Sequence, residues 1–587
     1  LLFLKRANYI ISLNNFYVFK YNRISIKNLT SKEVSMESVD TVSTDVLIIG
    51  GGPSGLSAAI RLADKLKEKG VSKNIMLIEK GEEIGSHILS GAVIKTDVFK
   101  ELLTPDEFNE VPFDCEVKID KTVKLSENGE TTLPFHPPYM NNMGNQIASL
   151  GKICKFLATC ATNRGVEIYS GFAVDELLYE NGKVVGAKTK DTGVDHEGKP
   201  QKNFQKGTSV KAAVTILAEG TRGSLAKQLI SKFDLDATSN PQIYSLGVKE
   251  SWRVPEGRIE PGTVYHTMGY PLVDGQEFGG GFIYGMENNR VGLGLVVGLD
   301  YEDPSFNIHA AMQAWKQHPK IRALLEGGSV IEAGAKTLPE GGWNSIPKLY
   351  DDNVMIVGDS AGFVAMPALK GIHLAATSGM CAADTAALAL VKGDTSASTL
   401  ARYKELVDAS RIKKELYPVR NFRAVMQNGM ILGGLKFGIQ LLTRGFCLLT
   451  PDTHSDASET KKVKEFGGIP FKERFAGKLD FDKKLTFDKV TTVFQSRTMH
   501  DEHQPVHLVI NNPEQFQSSN IEEYGLSEEA MCPAEVYELH IDKQGNKTLR
   551  LHAENCLHCK TCDIKSPNGG ITWTTPYGED GPEYREM

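Results

Sequence analysis

The run Val46-Leu47-Ile48-Ile49 leads directly into Gly50-Gly51-Gly52-Pro53-Ser54-Gly55 and then into Leu56-Ser57-Ala58-Ala59-Ile60-Arg61-Leu62. A short, unbroken apolar run fits a parallel strand buried on both faces. Gly50 permits the tight turn, Gly52 lets backbone approach a pyrophosphate, and Gly55 lets the helix pack close to the sheet. An anion at this turn meets the helix N-terminus, where unpaired N–H groups and the helix dipole both favour it. A second strand, Ile75 to Ile78, ends in Glu79, 24 residues after Gly55, where a carboxylate can accept from ribose hydroxyls. Strand, turn, helix, strand and acid in this order restrict the chain to an α/β dinucleotide-binding fold.

Three later segments favour FAD over NAD, held across a discontinuous domain. Val214 to Gly220 reads as a strand ending in a small-acid-glycine turn, and Val354 to Gly362 reads as another. Asp359 in the latter is placed to bind a ribityl hydroxyl. A helix starting near Gly371 would aim its N-terminus at the pyrimidine edge of a flavin. No second complete G-x-G-x-x-G follows a strand, so an internal NAD(P) domain is not expected. No C-x₄-C lies beside the first helix, which argues against a disulfide reductase.

Other stretches differ in kind. Between Tyr244 and Pro339 short strands carry glycine punctuation, as in Gly279-Gly280-Gly281 and Gly292-Leu293-Gly294. Backbone without side chains can lie flat against a ring, or simply permit a bulged sheet. Ser149–Ala161 reads as an amphipathic helix, and Glu167–Lys190 as strands joined by an Asn181-Gly182 hairpin turn. In Gln427–Thr450, Ile431, Leu435, Ile439, Leu442 and Phe446 form one helical stripe, with Lys436, Gln440, Thr443 and Arg444 as a polar ridge opposite. The helix is too short to span a bilayer but suits its interface. Val98-Phe99 and Leu102-Leu103 form a weaker apolar stretch that could join it.

Cysteine use is concentrated at the C-terminus. Cys556, Cys559 and Cys562 form C-x₂-C-x₂-C, and Cys532-Pro533 lies 24 residues upstream. Three thiolates on one tight loop suit three corners of a cubane, with the remote Cys-Pro for the fourth iron. A four-cysteine zinc site more often uses two separated C-x₂-C pairs. His500, His503 and His507, interrupted by Pro505, read as polar and packing residues. The net charge of −7 disfavours nucleic-acid binding, and nine cysteines in 587 residues do not make a disulfide scaffold. The mean hydropathy of −0.24 disfavours a bundle of membrane spans. Residues 1–43 begin basic and acid-free as far as Glu33, and read as an organelle transit peptide or disordered tail.

From Asp45 to Met587 the chain resembles the electron transfer flavoprotein–ubiquinone oxidoreductase family. The matching stretches include Glu79-Lys80, Ile84 to Ala92, Met140-Asn141-Asn142, Glu219-Gly220, Leu225 to Leu229, Gly294 to Tyr301, Lys413 to Tyr417 and Cys556 to Asp563. The resemblance implies an enzyme that oxidises reduced electron transfer flavoprotein and passes electrons through [4Fe–4S] and FAD to ubiquinone. It implies a protein on the matrix face of the mitochondrial inner membrane, linking fatty-acid and amino-acid dehydrogenation to respiration. Val46, Ile49, Gly50, Gly51, Gly52, Pro53, Ser54 and Gly55 would hold FAD together with Glu79, Gly358 and Asp359. Gly280 and Gly281 would lie at the quinone site, and Cys532, Cys556, Cys559 and Cys562 would hold the cluster. Both Ile84–Asp106 and the Gln427 helix would dip into the bilayer. Ile372 and Leu374 stand where the family often has threonines, and Gly281 where it has a small hydroxyl residue. No acid–base residue stands out.

The expected fold is α/β: a doubly wound, glutathione-reductase-like FAD domain, discontinuous over 44–243 and 340–400. A mainly-β quinone domain is inserted at 244–339. A helical membrane-surface segment follows at 401–480 and a ferredoxin-like [4Fe–4S] module at 481–587. A flavin reductase of the geranylgeranyl-reductase type with a fused ferredoxin module is the nearest alternative. An electron-transfer subunit without a small substrate is another.

Overall fold

The computed structural model describes residues 41–90, 93–134, 138–427, 429–445 and 453–587. Most of the expected transit segment, Gly91-Ala92 and Phe446 lie outside the described residues. The first strand is Thr41–Ile49, five residues longer than its apolar core, because Thr41 to Thr44 also pair with Ser209 to Ala212. Those four positions are polar or exposed, so hydropathy did not mark them, and the boundary at 43 falls inside the strand.

Five parallel strands form the heart of an eight-stranded sheet. In spatial order they are Val354–Ile356, Ser209–Leu217, Thr41–Ile49, Ile75–Glu79 and Glu167–Ser170. Their apolar runs are buried on both faces by helices, as parallel sheets require. The helix Pro53–Glu68 packs against Ile372–Lys392. A Cβ at Gly379 would stand 2.1 Å from the Ser54 carbonyl oxygen, so this glycine sets how closely the two helices cross. Asn181 and Gly182 take positive φ between the strands Val174–Glu180 and Lys183–Thr189, the expected hairpin. The amphipathic helix is Leu150–Thr162, capped by the Ser149 hydroxyl accepting from Lys152 N–H.

The second sheet has seven strands and departs from the expected boundaries. Ser329–Pro339, Tyr244–Arg253, Arg290–Gly298, Gly279–Met286 and Thr263–Gly269 pair antiparallel. Ile119–Leu125 then joins in parallel to Thr263–Gly269, with Glu130–Thr132 outside it. Residues 119–132 thus belong to the sheet of the middle domain although they precede it by more than a hundred residues. Val98, Phe99, Leu102 and Leu103 are buried in the core under the first sheet. Those four side chains are therefore not a membrane-facing surface.

The C-terminal module shares a hydrophobic core with the second sheet, and the four cluster cysteines lie in that same core. Behind the sheet, Lys316 and Glu250 form a wholly buried ion pair, Nζ to Oε1 at 2.7 Å and to Oε2 at 2.9 Å. The Trp252 indole N–H donates to Glu250 Oε2 at 2.6 Å, and the Lys316 ammonium lies 4.7 Å from the Phe487 ring centroid. Breaking such a pair from one side leaves an uncompensated buried charge, which costs about 3–5 kcal/mol. Lys316→Met should lower stability by that order in denaturant unfolding, and adding Glu250→Gln should recover much of it. Equal stability of Lys316→Met and the parent would contradict a buried charge pair.

Candidate functional site

The phosphate turn is built by close contacts. Gly50 has φ of +111°, and a Cβ there would lie 2.3 Å from the Ala218 carbonyl oxygen. A Cβ at Gly55 would lie 2.0 Å from the Gly50 carbonyl oxygen, whereas one at Gly52 would meet nothing within 4 Å. Gly50 and Gly55 are thus fixed by packing, and Gly52 borders the open space in front of the helix. Pro53 occupies the first helical turn, where a missing N–H costs nothing, and that turn holds no acid to repel an anion. The Glu79 carboxylate is fixed by two backbone donors, Gly51 N–H at 2.7 Å and Gly81 N–H at 2.8 Å.

The last part of the same fold arrives from the far side. Gly358, with φ of +63°, donates its N–H to Ser378 Oγ at 2.9 Å. A Cβ there would lie 2.6 Å from Ser54 Oγ, which brings Asp359 beside the phosphate turn. Burial pushes the Asp359 carboxyl up to about 6, and the Lys336 ammonium opposes that rise. The Glu219 carboxylate likewise accepts from two backbone donors, Leu225 and Ala226 N–H, in the first turn of the helix Ser224–Lys232. Val46 and Ile49 are buried in the core. Val46 lies four residues below Gly50, about 13 Å along the strand. Its side chain therefore cannot touch a ligand at the turn. Leu374 is likewise a core residue, so no hydroxyl serves that position.

Cys532, Cys556, Cys559 and Cys562 line one cavity, together with Val536, Tyr537 and Leu557. All four are free thiols. Positive φ at His558 and Lys560 turns the loop so that its three cysteines face inward. Burial pushes Cys532 up to about 11 and Cys556 up to about 12, so a cationic group must accompany their ionisation. Two buried donors, the Tyr537 hydroxyl and the Trp573 indole N–H, meet no hydrogen-bond partner in the protein. They face the Cys562 and Cys556 sulfurs respectively. The Thr561 hydroxyl approaches Cys559 Sγ at 3.3 Å. Orphaned donors converging on four thiols are what an anionic iron–sulfur cluster needs around it, and the residues fit that group.

Among the described residues, the trio of ligand atoms close enough for a single metal ion is not cysteine but His500, His507 and His558, within 4.8 Å of one another. Hydrogen bonding already uses two of these rings. Lys80 Nζ donates to His558 Nδ1 at 2.9 Å, so the His558 proton sits on Nε2 and is given to His500 Nε2 at 2.9 Å. His500 Nδ1–H then donates to the Glu554 carbonyl at 2.9 Å. In that tautomer His558 has no lone pair left for a metal. His503 is exposed and apart from them. Sequence spacing brought out His500, His503 and His507 but gave no signal for Lys80, Lys336, Tyr537 or Trp573, which come from four distant segments.

Gly280 and Gly281 lie in the strand Gly279–Met286, and the protein itself occupies the space beside them. A Cβ at Gly280 would meet the Thr267 carbonyl oxygen at 2.3 Å, and one at Gly281 the Trp315 ring at 2.5 Å. Close sheet packing explains both glycines, so they do not form the bare flat surface expected of them. The neighbouring Phe278 packs on Phe422, which in turn packs on Phe437 of the helix Met430–Leu442. Phe437 and Gln440 turn inward, while Leu432, Leu435, Ile439 and Leu442 are exposed, Leu442 at 88%. Gln440 therefore does not belong to an outer polar ridge; Lys436, Thr443 and Arg444 remain exposed.

Comparison with known proteins is specific. Residues 483–585 match the family model "Electron transfer flavoprotein-ubiquinone oxidoreductase, 4Fe-4S", and residues 244–338 match "ETF-QO, ubiquinone-binding". Residues 48–116 match an NAD(P)-binding Rossmann-like domain and 97–251 an FAD binding domain. A geranylgeranyl bacteriochlorophyll reductase-like protein from Thermoplasma acidophilum shares the fold, with a TM-score of 0.53 at 20% identity over 70% of this chain and 94% of that one. Mitochondrial electron transfer flavoprotein–ubiquinone oxidoreductase of Mus musculus is 38% identical over 92% of this chain and 89% of its own. The Pseudomonas aeruginosa enzyme is 39% identical over 92% and 98%. With 40% identity to the Dictyostelium discoideum enzyme over 99% of this chain and 98% of that one, the chain belongs to the electron transfer flavoprotein–ubiquinone oxidoreductase family.

Proposed function

We propose that this oxidoreductase takes electrons from reduced electron transfer flavoprotein and delivers them to ubiquinone at the matrix face of the mitochondrial inner membrane. The observation that carries the reading is one cavity of four buried cysteines, ringed by orphaned donors, whose loop is tied to the FAD fold by the Asp563 ion pairs with Arg222 and Lys227. Relatives over nearly the whole length carry the same name, several of them with the word mitochondrial. A cluster supplies one-electron transfer, and FAD, which holds one or two electrons, matches that to a two-electron quinone.

The chain's own residues bind and orient. Cys532, Cys556, Cys559 and Cys562 hold the cluster, with Thr561, Tyr537 and Trp573 as donors toward its sulfurs. Gly50 to Gly55 present backbone to the pyrophosphate, Glu79 accepts from the ribose and Asp359 from the ribityl chain. The exposed apolar face of Met430–Leu442, flanked by Lys436 and Arg444, rests in the lipid interface. Through Phe422 this helix is joined to Phe278, which brings lipid beside the Gly279–Gly281 end of the second sheet, where a quinone would enter.

Three variants test this reading. Cys559→Ala should abolish the low-temperature EPR signal of the cluster and donor-to-quinone turnover while flavin absorbance persists; full turnover would refute an essential cluster. Asp359→Asn should weaken FAD binding at least tenfold in flavin-release titrations. The Asp359 carboxyl is raised in the folded, flavin-free protein, so folding binds a proton between about pH 4 and 6 and stability falls as pH rises through that window. Asp359→Asn should therefore make the flavin-free protein more stable above pH 6, by about 1–3 kcal/mol, and unchanged below pH 4. Finally, the double variant Leu435→Glu/Leu442→Glu should lose co-sedimentation with cardiolipin-containing vesicles yet keep reduction of a water-soluble quinone analogue. Undiminished vesicle binding would remove this helix from the membrane contact.

A further inference from the structure

The strand Ser329–Pro339 is the edge of the second sheet, and its outer side meets the cluster loop. Thr337 Oγ1 donates to the Cys559 carbonyl at 2.7 Å, and Lys336 Nζ to the His558 carbonyl at 3.4 Å. On its other flank the Thr337 carbonyl accepts from Thr221 Oγ1 at 2.9 Å. Next to Thr221, the Gly220 carbonyl accepts from Ser360 Oγ at 2.8 Å, one residue beyond Asp359. A continuous set of hydrogen bonds and short backbone segments therefore spans from the cluster loop to the flavin site, and Lys336 stands in it.

The charges around Lys336 come from both sites. Burial lowers the Lys336 pKa, and Cys559 and Cys556 of the cluster loop with Glu79 and Asp359 of the flavin site are the groups whose negative charge opposes that loss. Lys80 and Lys560 lie near but are committed elsewhere. Lys80 donates to His558, and Lys560 donates to the carbonyls of Thr221 at 3.1 Å and Arg222 at 2.8 Å. Among the described residues, the Lys336 side chain makes only its long hydrogen bond to the His558 carbonyl.

Resting on the function proposed above, we infer that Lys336 is a positioning residue that serves as a shared counter-charge for the two redox centres. Adding an electron to either centre adds negative charge close to this one ammonium. It therefore stabilises the reduced form of both and holds their potentials in step. A residue serving one site alone would shift one potential alone.

The test is redox titration of the holoenzyme, reading the cluster by low-temperature EPR and the flavin by absorbance. The wild-type spectra establish first that both centres are present, which tests the functional reading by itself. In Lys336→Met, both centres should become harder to reduce. For the cluster, the reduced-to-oxidised ratio at a fixed potential should fall about tenfold, about 59 mV for a one-electron couple. Lys336→Arg should restore both values. Should Lys336→Met shed its flavin, Lys336→Gln is titrated instead, and the cluster potential alone must still fall. An unchanged cluster potential in either variant, a shift confined to one centre with both bound, or failure of arginine to rescue would overturn the assignment.

Discussion

The hydrogen bond from the Thr337 hydroxyl to the Cys559 carbonyl joins residues 222 positions apart, and the relation between the two redox sites depends on it. A free edge strand exposes unpaired N–H and C=O groups that invite foreign pairing. Here the cluster loop covers the edge. Tyr584 closes on it too: a Cβ at Gly334 would stand 2.2 Å from the Tyr584 hydroxyl oxygen. A buried hydrogen bond of this kind contributes about 1 kcal/mol net, but an orphaned partner costs about 1–3 kcal/mol. The contact therefore resists loss more than it adds to stability. That asymmetry suits a joint whose task is to fix a distance.

The C-terminal module is consequently not a bead on a tether. Its cysteines lie in the same hydrophobic cluster as Trp252, Trp315 and the second sheet. Lys565, wholly buried, donates to the carbonyls of Tyr301 at 2.6 Å and Asp456 at 3.0 Å, pinning the helix Thr561–Lys565 to two other segments. The Asp563 carboxylate is paired with Arg222 and Lys227, which holds it below the usual carboxylate range despite burial. The module is thus held by charge and core together, and the cluster loop keeps one orientation toward the FAD fold.

Periodicity and spacing made the local parts legible. The strand–turn–helix at Val46–Leu62, the acid at Glu79 and the C-x₂-C-x₂-C loop each carry their chemistry within a short window. What joins them does not. Lys336 sits in the strand Ser329–Pro339, and nothing within reach of it in sequence reveals that its ammonium meets the carbonyl of His558, 222 residues away. Tyr537 and Trp573 read as ordinary strand residues until the fold aims their donors at sulfur. The strand Ile119–Leu125 alternates charged and apolar residues like any half-exposed strand, and only tertiary pairing shows which sheet it joins. Glycines misled for a related reason: a Cβ-free position signals a close approach, but not whether ligand or protein makes it. At Gly52 the space is open, whereas at Gly281 Trp315 fills it.

The same ambiguity runs through the apolar helices. Ile372–Lys392 is long and apolar enough to cross a membrane, yet it is mostly buried inside the fold, crossing the first helix at Gly379. Met430–Leu442 has 13 residues, about 20 Å of helix, against the ~30 Å of a hydrocarbon core. It nonetheless leaves Leu432, Leu435 and Leu442 uncovered. Length and apolarity alone do not tell a core helix from a surface one, because what matters is whether the apolar face has a protein partner. Phe437 and Gln440 anchor the short helix inward, so its outward face is held rigid without being covered. A rigid apolar face beside Phe278 supports the proposed lipid contact more strongly than apolarity does. A loose amphipathic tail would adjust its side chains to water, while this helix, fixed by its inner face, keeps the leucines turned out.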